Sequence, residues 1–300
     1  MATLAGVTVE APEFLDDDNR AAARAVQSAS AAADGYEPFS EEVTLRWAAA
    51  QPADGEHHLV TRDAQGLVTG YGHLAPSGTA EFAVPPEHRR QGYGTSMLAA
   101  LEELAAEGGN PLRVWSHGDH PGARGLAAAA GLGVVRELLQ LGRELDAPPA
   151  PADLPAGVIL RTFEPGVDDA AWLAVNARAF ASHPEQGRMT QADLDARKAT
   201  DWFDPAGFLV AERDGRMLGF HWTKVPGDGT GEVYVLGVDP DAQGTGLGGA
   251  LLRAGLHSLY DKGIRTVTLY VEGDNDPALA LYRRLEFTRT HADVMYGRNA

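Results

Sequence analysis

The chain has 300 residues, with 25 Lys and Arg against 42 Asp and Glu, a formal net charge of −17; such a surface repels nucleic acid and anionic membranes, and neither is an expected partner. It has no cysteine, which removes disulfides and any cysteine nucleophile and fits a reducing, cytoplasmic compartment. The N-terminus shows no basic stretch followed by an apolar one, and no apolar run reaches about 18 residues, so neither a signal peptide nor a membrane span is expected.

In chain order, "NRAAARAVQSASAAAD" (19–34) reads as an amphipathic helix. "HLVTRDAQGLVTGYGHL" (58–74) reads as two strands around a glycine turn, and "GTAEFAV" (78–84) as a third strand running into "RRQGYG" (89–94). The segment after that loop, "GTSMLAALEELAAE" (94–107), reads as a helix, followed by the strand "PLRVWSHG" (111–118). The run "LDAPPAPADLPAG" (145–157) holds four prolines; it suits neither a helix nor a central strand and reads as a semi-rigid linker. The series then repeats: a helix at 168–181, a strand pair at 208–223, the strand "GEVYVLGV" (231–238), the loop "QGTGLG" (243–248), a helix at 248–263 and the strand "RTVTLYVEG" (265–273). Arg89 and Gln243 open the two loops 154 residues apart, and the same offset joins Val84 to Val238 and Pro86 to Pro240. Order and spacing together mark an internal duplication of a whole domain. The expected fold is α/β, two tandem domains each with a mixed sheet flanked by helices. The expected limits are 1–145, a Pro-rich linker at 146–157, and 158–300.

A loop that turns successive backbone N–H groups toward one point, at the start of a helix, can hold an anion. Glycine permits the left-handed turns this needs and lets phosphate approach the backbone. "QGTGLGG" before an apolar helix is therefore a candidate pyrophosphate cradle, although a plain strand-to-helix turn also uses glycine. No Gly-Lys-Ser/Thr follows, so it is not a Walker loop.

The spacing R/Q-x-x-G-x-G, between a Val-rich strand and a helix, resembles the acyl-CoA loop of the GNAT N-acetyltransferase superfamily. "NDPALALYRRLEF" (275–287) matches that superfamily's N-x-x-A-x-x-x-Y-x-x-x-x-F segment, about thirty residues after the second loop. The resemblance implies acetyl-CoA as co-substrate and no metal. It places the second domain's CoA contacts at Leu236, Gly237 and Val238, at Gln243, Gly244, Thr245, Gly246, Leu247, Gly248 and Gly249, and at Asn275, Asp276, Pro277, Ala278, Leu279 and Ala280. The first domain's would be Phe82, Ala83 and Val84, then Arg90, Gln91, Gly92, Tyr93, Gly94 and Thr95. Acetyl transfer to an amine needs a base, a polarised carbonyl and a protected leaving thiolate. Glu232 is the candidate base and Tyr282 the candidate acid. At the repeat offset Glu232 meets Gly78 and Tyr282 meets Ala127, so the first domain is expected to bind a CoA-like ligand without turnover, its loop carrying Arg89 and Arg90. His117 and His120 in "SHGDH" read as the degenerate counterpart of "EGDN", not as metal ligands. Without cysteine, transfer is expected to be direct, in a ternary complex.

Tandem GNAT halves of this length, with "HPEQG" (183–187), "GFHWTKV" (219–225), "GEVYVLGVDP" (231–240) and "LYVE" (269–272), resemble the mycothiol synthase family. That resemblance implies a cytoplasmic monomer that acetylates the cysteinyl amine of cysteinyl-glucosaminyl-inositol, a small thiol-sugar amine. It places substrate contacts at Glu41, Glu185, Lys224, Glu232 and Tyr270. Two alternatives stay open: a tandem GNAT acting on an aminoglycoside or peptide amine, and a non-catalytic acyl-CoA-binding sensor.

Overall fold

The computed structural model describes residues 7–13, 15–47, 53–181 and 184–298, with the backbone alone at 184 and 185. Along the chain run β1 (Thr8–Glu10), α1 (Asp17–Asp34), α2 (Glu41–Arg46), β2 (His57–Arg62), β3 (Val68–Leu74), β4 (Thr79–Ala83), α3 (Tyr93–Glu107), β5 (Arg113–Ser116), α4 (Pro121–Ala129) and β6 (Gly133–Glu144). The second series is β7 (Ile159–Thr162), α5 (Asp169–Ala179), α6 (Pro184–Gly187), α7 (Gln191–Lys198), β8 (Phe208–Arg213), β9 (Arg216–Lys224), β10 (Thr230–Val238), α8 (Leu247–Asp261), β11 (Thr266–Glu272), α9 (Asp276–Arg284) and β12 (Thr288–Gly297). No helix among the described residues is long and apolar enough to cross a membrane.

Two compact units result, Met1–Leu138 with His291–Ala300, and Leu139–Thr290. They do not break where the sequence suggested. Residues 139–145 join the second unit, and the chain's last ten residues join the first. The reason is hydrogen bonding and burial: Val294, Met295, Tyr296 and Gly297 of β12 pair antiparallel with β5, and Val294 and Tyr296 sit in the core of the first unit.

In the first unit the strand order is β1-β2-β3-β4-β5-β12, with β4 and β5 parallel. Strand alternation sends neighbouring residues to opposite faces. Leu59 packs with Met97 and Leu101 of α3, while Val60 packs with Val26 of α1 and with Phe39 and Trp47. α1 begins where Asp16 accepts a hydrogen bond from Asn19 N–H at 2.7 Å, and ends at Gly35.

In the second unit the order is β6-β11-β10-β9-β8-β7, and β10 runs parallel to β11. α8 and α9 cover one face with Leu252, Leu256, Leu279 and Tyr282, packed on Val233, Val267 and Leu269. α5 and α7 cover the other with Trp172 and Leu194, packed on Phe208, Phe220, Trp222 and Val235. Val233 and Val235 lie on opposite faces although they are two residues apart. The cause is a bulge: Val233 pairs with Thr223 and Val235 with Trp222, so Tyr234 is the extra residue and resets the alternation.

Candidate active site

The second unit's site is built on the middle of β10. Its parallel pairing with β11 covers only Thr230, Gly231 and Glu232, ending at the rung Glu232–Thr268. Pairing with β9 continues to Val238. β10 therefore leaves β11 beyond Glu232, and the backbone groups of Leu236 and Val238 that point away from β9 face the gap, the Val238 carbonyl accepting from Gln243 Nε2 at 3.2 Å. Such groups need partners, and an extended pantetheine arm or a thioester oxygen can supply them.

Glu232 stands at the closed end of this wedge and is half-buried. Lys224, directly opposite on β9, places Nζ 3.6 Å from Glu232 Oε2. Burial pushes the Glu232 carboxyl up, and Lys224 offsets only part of that. The shift moves the group toward the range of a working base while the lysine keeps it ionisable. Thr268, across from Glu232 on β11, is two residues from Tyr270, so both project from the same face. Tyr270 is 50% exposed and accepts a hydrogen bond from Gln140 Nε2 at 3.0 Å. The structure thus gathers Lys224, Glu232 and Tyr270 on one face of three adjacent strands. Glu41 is an exposed residue opening α2 of the first unit, and the side chain of Glu185, in α6, lies outside the described residues.

The open end of β10 leads to the glycine loop. Gly244 and Gly246 both adopt the left-handed region, at φ 74° and 87°, and no side chain caps the start of α8. Gln243, Gly244, Thr245 and Gly246 are exposed; Gly248 and Gly249 lie in the first turn of α8 with their amides toward the same end. Uncapped N–H groups at a helix start form an anion site where the chain leaves room for one. Asn275 accepts a hydrogen bond from Ala278 N–H at 3.2 Å and caps α9, with Asp276 and Pro277 in the first turn. Leu279 is buried in the core and Ala280 exposed. Tyr282 is buried in α9, edge-on to Phe287 at 5.7 Å. Its hydroxyl has no hydrogen-bond partner among the described residues, and burial pushes it up to about 12. A strand edge that leaves its neighbour and runs to an uncapped helix start fits a thioester joined to a pyrophosphate.

The first unit repeats the loop. Arg90 and Gly92 take the positions of Gly244 and Gly246, at φ 61° and 94°, and α3 is likewise uncapped. Gln91 and Thr95 are exposed at the loop, and Tyr93 and Gly94 open α3. Phe82 and Ala83 pair with β3 beyond the last parallel rung, Glu81–Trp115, and lead to Val84. Arg89, which opens the loop, binds both carboxylate oxygens of Asp34, at 2.8 and 2.7 Å. One expectation needs correction: the counterpart of Glu232 is not Gly78 but Thr79, because the one-residue bulge at Tyr234 shifts the offset to 153 inside the strand; the first unit's parallel pairing runs two rungs further, to Glu81. Glu81 is already engaged. It accepts from Ser40 N–H at 2.7 Å and lies 3.3 Å from His117 Nε2. His117 Nδ1 is in turn 3.3 Å from Asp293 on β12. Burial alone would lower the His117 pKa; Asp293 and Glu81 outweigh it and push it up to about 9. The first unit's carboxylate is thus neutralised internally. His120 caps α4 by accepting from Gly122 N–H at 2.9 Å, the place Asn275 has on α9.

A profile of the Acetyltransferase (GNAT) family matches residues 174–287, and one of the Acetyltransferase (GNAT) domain matches residues 54–132. The GCN5-related N-acetyltransferase from Sphaerobacter thermophilus superposes with a TM-score of 0.73 over 97% of this chain and 95% of its own, at 24% identity. A tandem GNAT protein from the clavulanic acid biosynthesis pathway superposes with a TM-score of 0.64 over 98% of this chain and 100% of its own, at 20% identity. The chain is an acetyl-CoA-dependent N-acetyltransferase of the tandem GNAT class. Among its relatives, the mycothiol acetyltransferase of Thermomonospora curvata is 50% identical across 94% of both chains. That of Cellulomonas flavigena is 51% identical across 95% of this chain and 86% of its own, and that of Catenulispora acidiphila 47% identical across 98% and 99%. The chain belongs to the mycothiol acetyltransferase family.

Proposed function

We propose that the second unit transfers acetyl from acetyl-CoA to the cysteinyl amine of cysteinyl-glucosaminyl-inositol, yielding mycothiol and CoA. The observation that carries this reading is the wedge itself: a half-buried carboxylate at its closed end, the Leu236 and Val238 backbone facing the gap beyond it, and a glycine loop at its mouth. When bound, acetyl-CoA supplies an activated carbonyl and a thiolate leaving group. Glu232 accepts the proton of the attacking amine, directly or through a water. Backbone N–H groups among Leu236–Val238 polarise the carbonyl oxygen as charge develops there. The Tyr282 hydroxyl gives its proton to the departing sulfur. Lys224 and Tyr270 bind the acceptor from β9 and β11, and Glu185 from α6. Transfer is direct, since the chain has no cysteine to form an acyl-enzyme.

The first unit keeps the loop conformation but has Thr79 at the position of Glu232, and its nearby Glu81 is paired with His117, so in this reading it binds a CoA-like ligand without turnover. Two calorimetric binding equivalents of acetyl-CoA per chain support that division; one equivalent removes it.

The test of the reaction is incubation with acetyl-CoA and cysteinyl-glucosaminyl-inositol, with products fragmented in a mass spectrometer. Acetyl on the cysteinyl nitrogen supports the reading. No product beside acetylation of an aminoglycoside or peptide amine overturns it.

A further inference from the structure

The lysine beside Glu232 is held by more than its carboxylate. At 3.6 Å the Lys224–Glu232 contact is longer than a hydrogen bond, and a lysine so placed is not fixed by the ion pair alone. What surrounds its other side is aromatic. Nζ lies 5.1 Å from the centroid of the Trp202 ring and 5.6 Å from that of Tyr234, both within the range where a ring quadrupole attracts an ammonium.

The box around this ammonium depends on the bulge in β10. Tyr234 is the residue the bulge adds, and it shares the α5/α7 face of the sheet with Val235. Its ring packs against Trp202 at 4.9 Å and against the fully buried Trp222 at 5.2 Å. Its hydroxyl accepts from Arg197 Nε at 2.9 Å, and Arg197 is anchored in turn on the Asp193 carbonyl. Trp202 also leans on Trp222, at 5.8 Å. The box is therefore backed by the core and tied to α7.

Among the described residues, charges on the neighbouring elements are engaged as follows. On β11 the residue opposite Glu232 is Thr268. α8 packs on β10 with apolar residues such as Leu252 and Leu256. α5 does so with Trp172 and Val175, while its Asp169 pairs with Lys198 and its Arg178 with Asp239 and Asp241. Arg197 reaches the Tyr234 hydroxyl. Among the described residues, Lys224 is the cation paired with the Glu232 carboxylate.

We propose that Trp202 and Tyr234 are positioning residues that hold the Lys224 ammonium against the Glu232 carboxylate. The proposal rests on the reading of Glu232 as the proton acceptor. Removing the box lets the ammonium swing to solvent; Glu232 then keeps its burial but loses its cation, and takes up a proton at higher pH.

The test is the acid limb of the kcat/KM pH profile with one acceptor throughout, so that the acceptor's own ionisation cancels. Lys224→Met moves the limb to higher pH by roughly one unit, a tenfold loss at the acid end. Trp202→Leu moves it the same way by at least half as much, Trp202→Phe leaves it in place, and acetyl-CoA affinity is unchanged in all three. Should Trp202→Leu fail to fold, ring-fluorinated tryptophan in all five positions weakens the quadrupole and keeps the packing. It then raises the limb in the wild type and has no effect in Lys224→Met. A limb that moves in Lys224→Met but in neither tryptophan experiment overturns the positioning role and leaves the base assignment standing. A limb unmoved by Lys224→Met overturns both.

Discussion

Tyr282→Phe removes one oxygen, and the structure separates what that oxygen does for stability from what it does for turnover. The ring packs with Leu279, Leu285 and Phe287 in the core of the second unit, and phenylalanine keeps all of that packing. No side-chain hydrogen bond to the hydroxyl is made among the described residues, so the substitution loses none. Unfolding free energy should therefore change by no more than about 0.5–1 kcal/mol, a Tm shift of at most about 4 °C for a unit of this size. Turnover should behave differently. If the hydroxyl protonates the leaving thiolate, kcat falls by roughly 10²–10⁴, equivalent to about 3–5.5 kcal/mol of barrier. Burial pushes the hydroxyl up to about 12, so it stays protonated at working pH and the wild type shows no basic limb from it below about pH 10. Turnover is best followed by chromatographic release of CoA, because the acceptor carries a thiol that a thiol dye would also report. Wild-type kcat in a folded Tyr282→Phe protein would refute the acid role and leave Tyr282 a core residue.

Glu232→Gln should lower kcat at least about 100-fold while acetyl-CoA affinity, measured calorimetrically, changes less than twofold; unchanged kcat removes the base. Gly255→Ala should destabilise the second unit. A Cβ there would run into His221 Nδ1, on a fully buried ring hydrogen-bonded to the Leu251 carbonyl at 2.8 Å. The cost is about 1–3 kcal/mol, read as a lower urea midpoint. His117 predicts a pH effect whose sign follows from its raised pKa. Its folded value of about 9 exceeds the unfolded value near 6.5, so its contribution to stability is complete below about pH 6.5 and is lost as pH rises through about 9. The denaturant midpoint of the wild type should fall more between pH 7 and 10 than that of His117→Gln; parallel curves would contradict the ion pairs with Glu81 and Asp293.

The parts of the site legible in the sequence are those that place local demands on the backbone. Gly244 and Gly246 take left-handed conformations that glycine adopts without cost, Asn275 caps the helix that begins after it, and the duplicated order of strands and helices follows from periodicity. What could not be read depends on contacts between distant residues. Nothing near Asp293 announces that it meets His117. The last strand reads as part of the second domain by order alone, yet its hydrogen bonds and core residues place it in the first unit. The bulge at Tyr234 defeated residue-by-residue alignment of the repeats: one inserted residue moved the counterpart of Glu232 from Gly78 to Thr79, and the first unit's parallel pairing runs on to Glu81. The partner of Arg89 is Asp34, 55 residues away, which nothing in the loop sequence announces. The aromatic box has no motif, because Trp202, Lys224 and Tyr234 come from three separate elements and meet through a bulge that leaves no mark in composition.

The central claim is that the second unit performs the transfer with Glu232 as base. A single-turnover measurement addresses it most directly. The protein is loaded with radiolabelled acetyl-CoA, freed of excess, mixed with cysteinyl-glucosaminyl-inositol and quenched over milliseconds to seconds. The account predicts one acetyl group transferred per chain in the fast phase, whatever the first unit holds, and loss of that phase in Glu232→Gln. Two groups transferred per chain, or a fast phase that survives Glu232→Gln, would contradict it.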